Sequence, residues 1–287
     1  MNHSGANDTL RAWTETASYW TKHRRTIRTM FEPLTRALIE DARIVEGQAI
    51  LDVAGGAGEP SLTIAEIVGP QGSVVCTDPI AEMIAAAEID ARDRGLENVQ
   101  FRQCAGDALP FADGSFDVVV CRLGAMFFPD PLAALSEMLR VVRPGGRVAL
   151  AVWDKSELNP FCYIITNVLS RHVEAPPADP EAPNAFRFAE PGKLVGILEE
   201  AGAIDVTDRL LEFDVAAPIS PADFWNLRSE TSDTLRGKLR KLSGDEQAQI
   251  GAEVEDAVRE FFPEGQMKFP TRMILVAGTA PHAAKSS

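Results

Sequence analysis

A glycine-rich segment near the start of the chain has the residue types best suited to holding a ligand. Residues Ile50–Pro60 read ILDVAGGAGEP, and they join a buried apolar run to a helical segment. Glycines let a backbone pass close to a ligand, and a helix N-terminus offers free N–H groups. Nucleotide-binding proteins of many kinds contain such a turn, and a tight structural turn has the same composition. The segment alone therefore predicts either a ligand-binding turn or a purely structural one.

Asp78 follows the next apolar run along the chain, where an acidic side chain can accept hydrogen bonds from both hydroxyls of a ribose. Dinucleotide-binding oxidoreductases use the same device. However, Ser61 stands where their third glycine or alanine is expected, and no Tyr-x-x-x-Lys pair is present. These departures disfavour an NAD-type oxidoreductase, which stays open only as a weak alternative.

Further motifs follow in a fixed order. Residues 106–111 read GDALPF, and Asp107 could accept a hydrogen bond from an adenine amine or merely cap a turn. The apolar strand within 115–120 (SFDVVV) and the segment 139–148 (LRVVRPGGRV) come next. Strand and helix patterns alternate over 49–152, which predicts a parallel sheet with right-handed crossovers. Helical patterns fill 1–48. A charged helical segment at 221–262 lies between the last two predicted strands.

In this order, the motifs LDVAGGAGE, the Asp78–Met83 segment, GDALPF, FDVVV and LRVVRPGG resemble class I S-adenosylmethionine-dependent methyltransferases, most closely the ubiquinone/menaquinone-biosynthesis group. The resemblance implies an α/β fold: a Rossmann-like, seven-stranded, mostly parallel sheet flanked by helices, with its last strand antiparallel. It also implies a division into an N-terminal helical cap (1–48), a cofactor-binding domain (49–218 and 270–280) and a helical lid or insertion (219–269). The insertion helices could instead pair two copies into a homodimer.

The resemblance implies a set of cofactor-binding residues. The methionine end of S-adenosylmethionine is expected at Asp52, Ala54, Gly55, Gly56 and Gly58, its ribose at Asp78, its adenine at Pro79, Met83, Asp107 and Ala108, and the boundary between methionine and acceptor at Cys121, Arg122 and Leu123. Ala54 replaces the first turn glycine of the family. Alanine fits there if φ is negative, and we expect binding to be retained.

Methyl transfer from a sulfonium needs little more than two reactants held in line, with S-adenosylhomocysteine as the product. The sequence accordingly shows no obligatory catalytic triad, and no carboxylate cluster predicts a metal. Tyr19, His23 and Arg122 are the candidates for moving a proton or positioning the acceptor. The acceptor is expected to be a small, partly apolar molecule, methylated at oxygen, carbon or nitrogen, in a pocket formed by Trp20, Phe127, Phe128, Trp153, Phe224 and Trp225.

Composition limits the partners. The chain of 287 residues has 28 basic and 42 acidic side chains and a formal net charge of −14, which disfavours binding to nucleic acid. Four scattered cysteines fit a reducing compartment, and no signal peptide or membrane-spanning run is visible, so we expect a cytoplasmic protein. A non-catalytic module that binds S-adenosylmethionine remains the second alternative to a methyltransferase.

Overall fold

The computed structural model describes residues 3–173, 179 and 181–282. Two helices, α1 (His3–Met30) and α2 (Glu32–Ala42), precede the first strand. The predicted alternation of strands and helices follows as β1 (Ala49–Val53), α3 (Ser61–Val68), β2 (Ser73–Asp78), α4 (Ala81–Asp93), β3 (Val99–Gln103), β4 (Phe116–Arg122), α5 (Pro131–Val141) and β5 (Val142–Trp153). The second half contains α6 (Pro160–Leu169), α7 (Lys193–Glu200), β6 (Ile204–Ala217), α8 (Pro221–Thr231), α9 (Asp233–Leu239), α10 (Gly244–Ala257) and β7 (Met267–Thr279).

The seven strands form one sheet in the order β3-β2-β1-β4-β5-β7-β6. Pairing is parallel from β3 to β5, and β7 runs antiparallel to both of its neighbours. The predicted fold class is therefore confirmed. The strand order reverses between β1 and β4, and ligands of such sheets bind at the carboxyl ends of the strands beside this reversal.

The central strands are buried because helices cover both faces of the sheet. Every residue of β1 from Ile50 to Val53 is buried, as are Val118–Cys121 of β4 and Val148–Trp153 of β5. Continuous apolar runs of this kind are typical of parallel strands covered on both sides. The rigid sheet fixes where each strand ends, and hence where the side chains that follow it lie.

Strands β6 and β7 extend past the end of β5 and carry the helical insertion. Trp153 at the end of β5 pairs with Met273, whereas the β6–β7 pairing continues to Ala217 and Met267. The final strand begins at Met267, where buried Met267 and Phe269 alternate with exposed neighbours. This two-stranded extension holds α8, α9 and α10 at the carboxyl edge of the sheet.

The insertion helices have well-defined starts. Ser220 precedes α8 and Ser243 precedes α10, each in a capping box in which the serine and the acidic residue three positions later bond each other's backbone N–H.

Within the described part of the chain, no helix is both long and apolar enough to cross a bilayer.

Candidate functional site

The glycine-rich turn follows β1 at the carboxyl edge of the sheet. The Gly55 N–H donates to the carbonyl of Thr77 at 2.8 Å, which fixes the turn against β2. Gly56 and Gly58 have φ of 57° and 112°. A Cβ on Gly58 would come within 2.9 Å of Leu62 Cδ1, whereas one on Gly56 would meet nothing within 4 Å. Gly58 is therefore needed for packing, and Gly56 leaves open space above the turn.

Ala54 departs from the prediction. Its φ is 59°, in the left-handed region, and not negative as expected. The turn keeps the backbone conformation of a glycine because β1, the Gly55 hydrogen bond and α3 together fix its path. Leu123, just after the neighbouring strand β4, also has a left-handed φ of 60°. Two non-glycine residues with strained backbones thus lie at the ends of adjacent strands, where strain often accompanies a binding site.

Asp52 lies beneath the turn and is fully buried. Its Oδ2 accepts hydrogen bonds from the backbone N–H and the hydroxyl of Ser61, whereas its Oδ1 has no partner. Burial raises the pKa of Asp52 to about 7, against the opposing effect of the Ser61 hydrogen bonds. Ser61, which the sequence had suggested only as a missing glycine, instead anchors this carboxyl group to the start of α3.

Asp78 joins the end of β2 to the glycine-rich turn. Its Oδ2 accepts from the Gly56 N–H at 3.0 Å, and its Oδ1 accepts from the Ile80 N–H at 2.9 Å. Burial raises the pKa of Asp78 to about 6, and both backbone hydrogen bonds oppose that rise. Each carboxylate oxygen has a second lone pair, so the group can still accept hydrogen bonds from a ligand.

The remaining cofactor candidates follow the neighbouring strands or begin α4. Met83 is buried, Pro79 is partly buried, and Asp107 and Ala108 lie exposed in the loop after β3. Cys121 is buried at the end of β4, and burial raises the pKa of its thiol. The roles of these residues in cofactor binding stay predictions.

Helix α1 covers this part of the edge. Ala17 packs with Ile80 and Met83, and the partly buried Trp13 and Trp20 extend the same small cluster toward Ala57 of the turn. Trp13 also meets Phe127, which follows β4, edge to face at 5.1 Å between ring centroids. Trp13 was not among the predicted site residues, although it lies seven positions before Trp20, on the same helical face.

The three catalytic candidates lie on two elements. His23 on α1 shares a hydrogen bond of 2.6 Å between its Nε2 and Glu230 Oε2 of α8, and the Tyr19 ring lies under the Arg236 guanidinium at 4.6 Å. Arg122 ends β4, where it donates to the Thr35 hydroxyl at 2.7 Å and to the Glu59 carbonyl at 3.1 Å. Burial lowers the pKa of Arg122. Tyr19 and His23 therefore face the insertion, and Arg122 links α2 to the turn.

The six aromatic residues predicted to form the acceptor pocket do not all lie together. Trp20 and Phe127 lie near the turn, with the Trp20 indole donating to the Thr231 carbonyl of α8 at 3.2 Å. Trp153 and Phe224 are buried in an aromatic cluster around Phe161. The other two are Phe128, also buried, and Trp225, which packs against Gly251 inside the insertion.

The residues at this edge fit S-adenosylmethionine. Buried Asp52 has an unpartnered oxygen, Gly56 leaves open space, and the Asp78 carboxylate retains acceptor capacity at the end of β2. No group of three or more potential metal ligands occurs among the residues that the structure describes. Whether the protein needs a metal stays a prediction.

A sheet of six parallel strands and one antiparallel strand, with a glycine-rich turn facing an acidic residue across β1 and β2, defines the class I methyltransferase fold. Residues 32–166 match the model of the ubiE/COQ5 methyltransferase family. The resemblance inferred from the motifs is thereby confirmed for that part of the chain.

Individual proteins are similar in sequence to part of the chain. The ubiquinone/menaquinone biosynthesis C-methyltransferase UbiE of Hahella chejuensis is 38% identical over 121 residues, which cover 42% of this chain and 49% of that protein. The chain thus spans about half the length of the curated relatives it matches.

Solved structures extend the likeness in fold to most of the chain. The YcgJ protein of Bacillus subtilis has a TM-score of 0.56 at 21% identity, covering 87% of this chain and 98% of that one. Phosphoethanolamine N-methyltransferase 2 of Haemonchus contortus, solved with phosphomonomethylethanolamine and S-adenosylhomocysteine, has a TM-score of 0.51 at 17% identity, covering 87% and 52%. At these identities the likeness concerns the fold alone.

Proposed function

We propose that this protein is an S-adenosylmethionine-dependent methyltransferase that acts on a small, partly apolar acceptor. The observation that carries the proposal is the position of Asp78, whose carboxylate lies at the end of β2 and is held against Gly56 of the turn. The family match over 32–166 supports the same activity. The UbiE relatives are named as C-methyltransferases of quinone biosynthesis, which supports an apolar acceptor methylated at carbon as the first class to test.

S-adenosylmethionine, when bound, supplies a methyl group already activated by its sulfonium. The chain's own residues would bind and orient it: Asp78 accepts hydrogen bonds from the ribose, and the Gly55–Gly58 turn allows close approach of the methionine part. Helix α1, through Trp13 and Trp20, shields this edge from water. Positioning of this kind lowers the barrier by several kcal/mol, on the order of seven or more in favourable cases.

The acceptor would enter between α1 and the insertion. Trp20 joins the two elements through its bond to Thr231, and the Tyr19 ring packs against the Arg236 guanidinium beside it. Tyr19, His23 and Arg122 remain the candidates for positioning an acceptor or taking its proton. A homodimer and the absence of nucleic-acid binding also remain predictions.

The test is calorimetric titration of the protein with S-adenosylmethionine and S-adenosylhomocysteine. We expect micromolar binding by the wild type and at least a tenfold loss in Asp78→Asn, because the amide cannot accept from both ribose hydroxyls while holding Gly56. Glu82→Gln is the matched control, since Glu82 is exposed one turn away on α4. Binding of neither ligand would contradict the proposal.

Turnover is tested separately with methyl-labelled S-adenosylmethionine and a panel of phenols, quinols and amines. Transfer of label with release of S-adenosylhomocysteine supports an enzyme. Tight cofactor binding without transfer to any member would favour the non-catalytic binding module.

A further inference from the structure

An arginine occupies the inward face of α8. Phe224, Arg228 and Thr231 recur at helical spacing, with Phe224 fully buried and Thr231 bonded to Trp20 of α1. The Arg228 Cζ lies 4.5 Å from the centroid of the Phe161 ring, and its Nε is buried without a hydrogen-bond partner. The Arg228 side chain thus points from α8 toward the interior of the protein, at the carboxyl edge of the sheet.

A second arginine, Arg122, lies beside Phe31, a ring that contacts Phe161. Arg122 Cζ is 5.9 Å from the centroid of Phe31, and Phe31 and Phe161 meet edge to face at 6.4 Å. The Nε of Arg122 is likewise buried and unpartnered. One guanidinium therefore stands beside each ring, Arg122 on the side of the glycine-rich turn and Arg228 on the side of the insertion.

Neither guanidinium has an anionic partner within 4 Å among the described residues. The carboxylates that influence Arg122 are Asp52, whose pKa burial raises to about 7, and Glu59, which is paired with Arg94 at 2.6 Å. The charge of Arg228 opposes the rise that burial causes in the pKa of the Cys162 thiol.

Three other arginines of the described chain with a buried Nε differ from Arg228. Arg94 pairs with Glu59 at 2.6 Å, Arg187 is influenced by Glu181 and Asp130, and Arg236 acts on Glu15. Removing a cation from water without an anion is unfavourable. Arg228 is partly buried and has no anionic partner within 4 Å among the described residues, in a protein with an excess of acidic side chains, so an anionic group of a ligand would complete its environment.

We propose that the methyl acceptor carries an anionic group, a carboxylate or a phosphate, and that Arg228 binds this group. This inference rests on the proposed function. The planar guanidinium matches both oxyanions with two parallel hydrogen bonds. Arg122 adds positive potential from the cofactor side. The acceptor is then an anion with an apolar body, held between the aromatic residues of the insertion and the end of β4.

The experiment compares anionic and neutral probes of one shape. 4-Hydroxybenzoate, phenyl phosphate and the neutral 4-hydroxybenzamide are titrated into the full-length protein, with and without saturating S-adenosylhomocysteine. We expect at least one anion to bind about tenfold or more tightly than the amide, as a charge-assisted bond in a partly buried site provides. Arg228→Met should remove this preference, and Arg228→Lys should keep part of it.

Arg259→Met is the matched control, because it removes a cation from an exposed part of the insertion where Arg259 pairs with Asp256. It should leave the preference for the anion unchanged. If Arg228→Met does not fold, Arg228→Gln replaces it in the same titration.

Equal binding of anions and amide, binding of no probe, or an undiminished preference in the Arg228 variant would overturn the proposal. In that event the guanidinium serves only to pack on Phe161. The separate titration with S-adenosylhomocysteine reports on the proposed function, so intact cofactor binding without an anion preference would refute this inference alone.

Discussion

The Asp78 carboxylate accepts a hydrogen bond from the Gly56 backbone N–H at 3.0 Å, so the end of β2 holds the turn that follows β1. This contact makes one group responsible both for the shape of the turn and for the proposed ribose contact. It also connects the protonation of Asp78 to ligand binding.

Affinity for S-adenosylhomocysteine should depend on pH through Asp78. Because burial raises the pKa of Asp78 to about 6, the group is largely protonated at pH 5 and ionised at pH 7.5. The ionised form accepts hydrogen bonds from hydroxyls more strongly, so affinity should rise through about pH 6 and level off above it. Calorimetry between pH 5 and 8 measures this, and Asp78→Asn should lose the rise. A wild-type affinity that falls with pH would contradict it.

Asp52 should make the protein less stable as pH rises. The pKa of Asp52 is about 7 in the folded protein and lies near 3.8 in the unfolded chain, so between these values the folded state holds a proton that the unfolded state has lost. Its contribution is therefore most favourable below about pH 4 and declines until about pH 7, by about 4 kcal/mol. Urea unfolding of Asp52→Asn should lack this decline. Parallel pH profiles for variant and wild type would refute it.

Ala54→Gly should stabilise the protein by about 0.5–1 kcal/mol. The left-handed φ of 59° is strained for alanine and not for glycine, and that relief exceeds the entropic cost of a glycine by a small margin. Ala57→Gly, in the same turn but without a positive φ, should instead destabilise it. Urea midpoints of the two variants provide the comparison, and destabilisation by both would show that Ala54 is not strained.

Gly124→Ala should destabilise the protein by about 1–3 kcal/mol. The added Cβ would lie 2.6 Å from the Ala54 Cβ and 2.9 Å from Cys121 Sγ, and neither neighbour is the far end of a flexible side chain. Combining Gly124→Ala with Ala54→Gly should recover part of the loss, which a double-mutant cycle measures. Gly196→Ala in α7, where a Cβ meets nothing within 4 Å, is the control and should not destabilise.

His23→Ala tests whether α1 takes part in the reaction. If His23 accepts or donates a proton, turnover should fall about 100-fold or more while S-adenosylhomocysteine binding is kept. Lys22→Ala is the matched control, because Lys22 is exposed and binds the same Glu230 carboxylate. Similar small losses in both variants would limit His23 to holding α1 against α8. Tyr19→Phe should be measured beside them.

Much of the fold could be predicted because local patterns specify it. Apolar runs such as Ile50–Val53 identify buried strands, and the helices between them require parallel pairing. Motif order then indicated the family, which the match over 32–166 confirms. The sequence also located Asp78 at the end of a strand, where its carboxylate lies.

Tertiary structure decided what depends on contacts between distant segments. The φ of Ala54 follows from the paths of β1, β2 and α3 together, and the sequence favoured the wrong sign. Gly124 requires glycine because Ala54, which β1 brings beside it, and Cys121 both lie within 3 Å of where a Cβ would stand. Arg228 belongs to a segment that the sequence describes only as charged and helical, yet in the fold one face of α8 packs inward and places its guanidinium over Phe161. Sequence periodicity describes one element at a time, whereas side-chain environments are set by the packing of several.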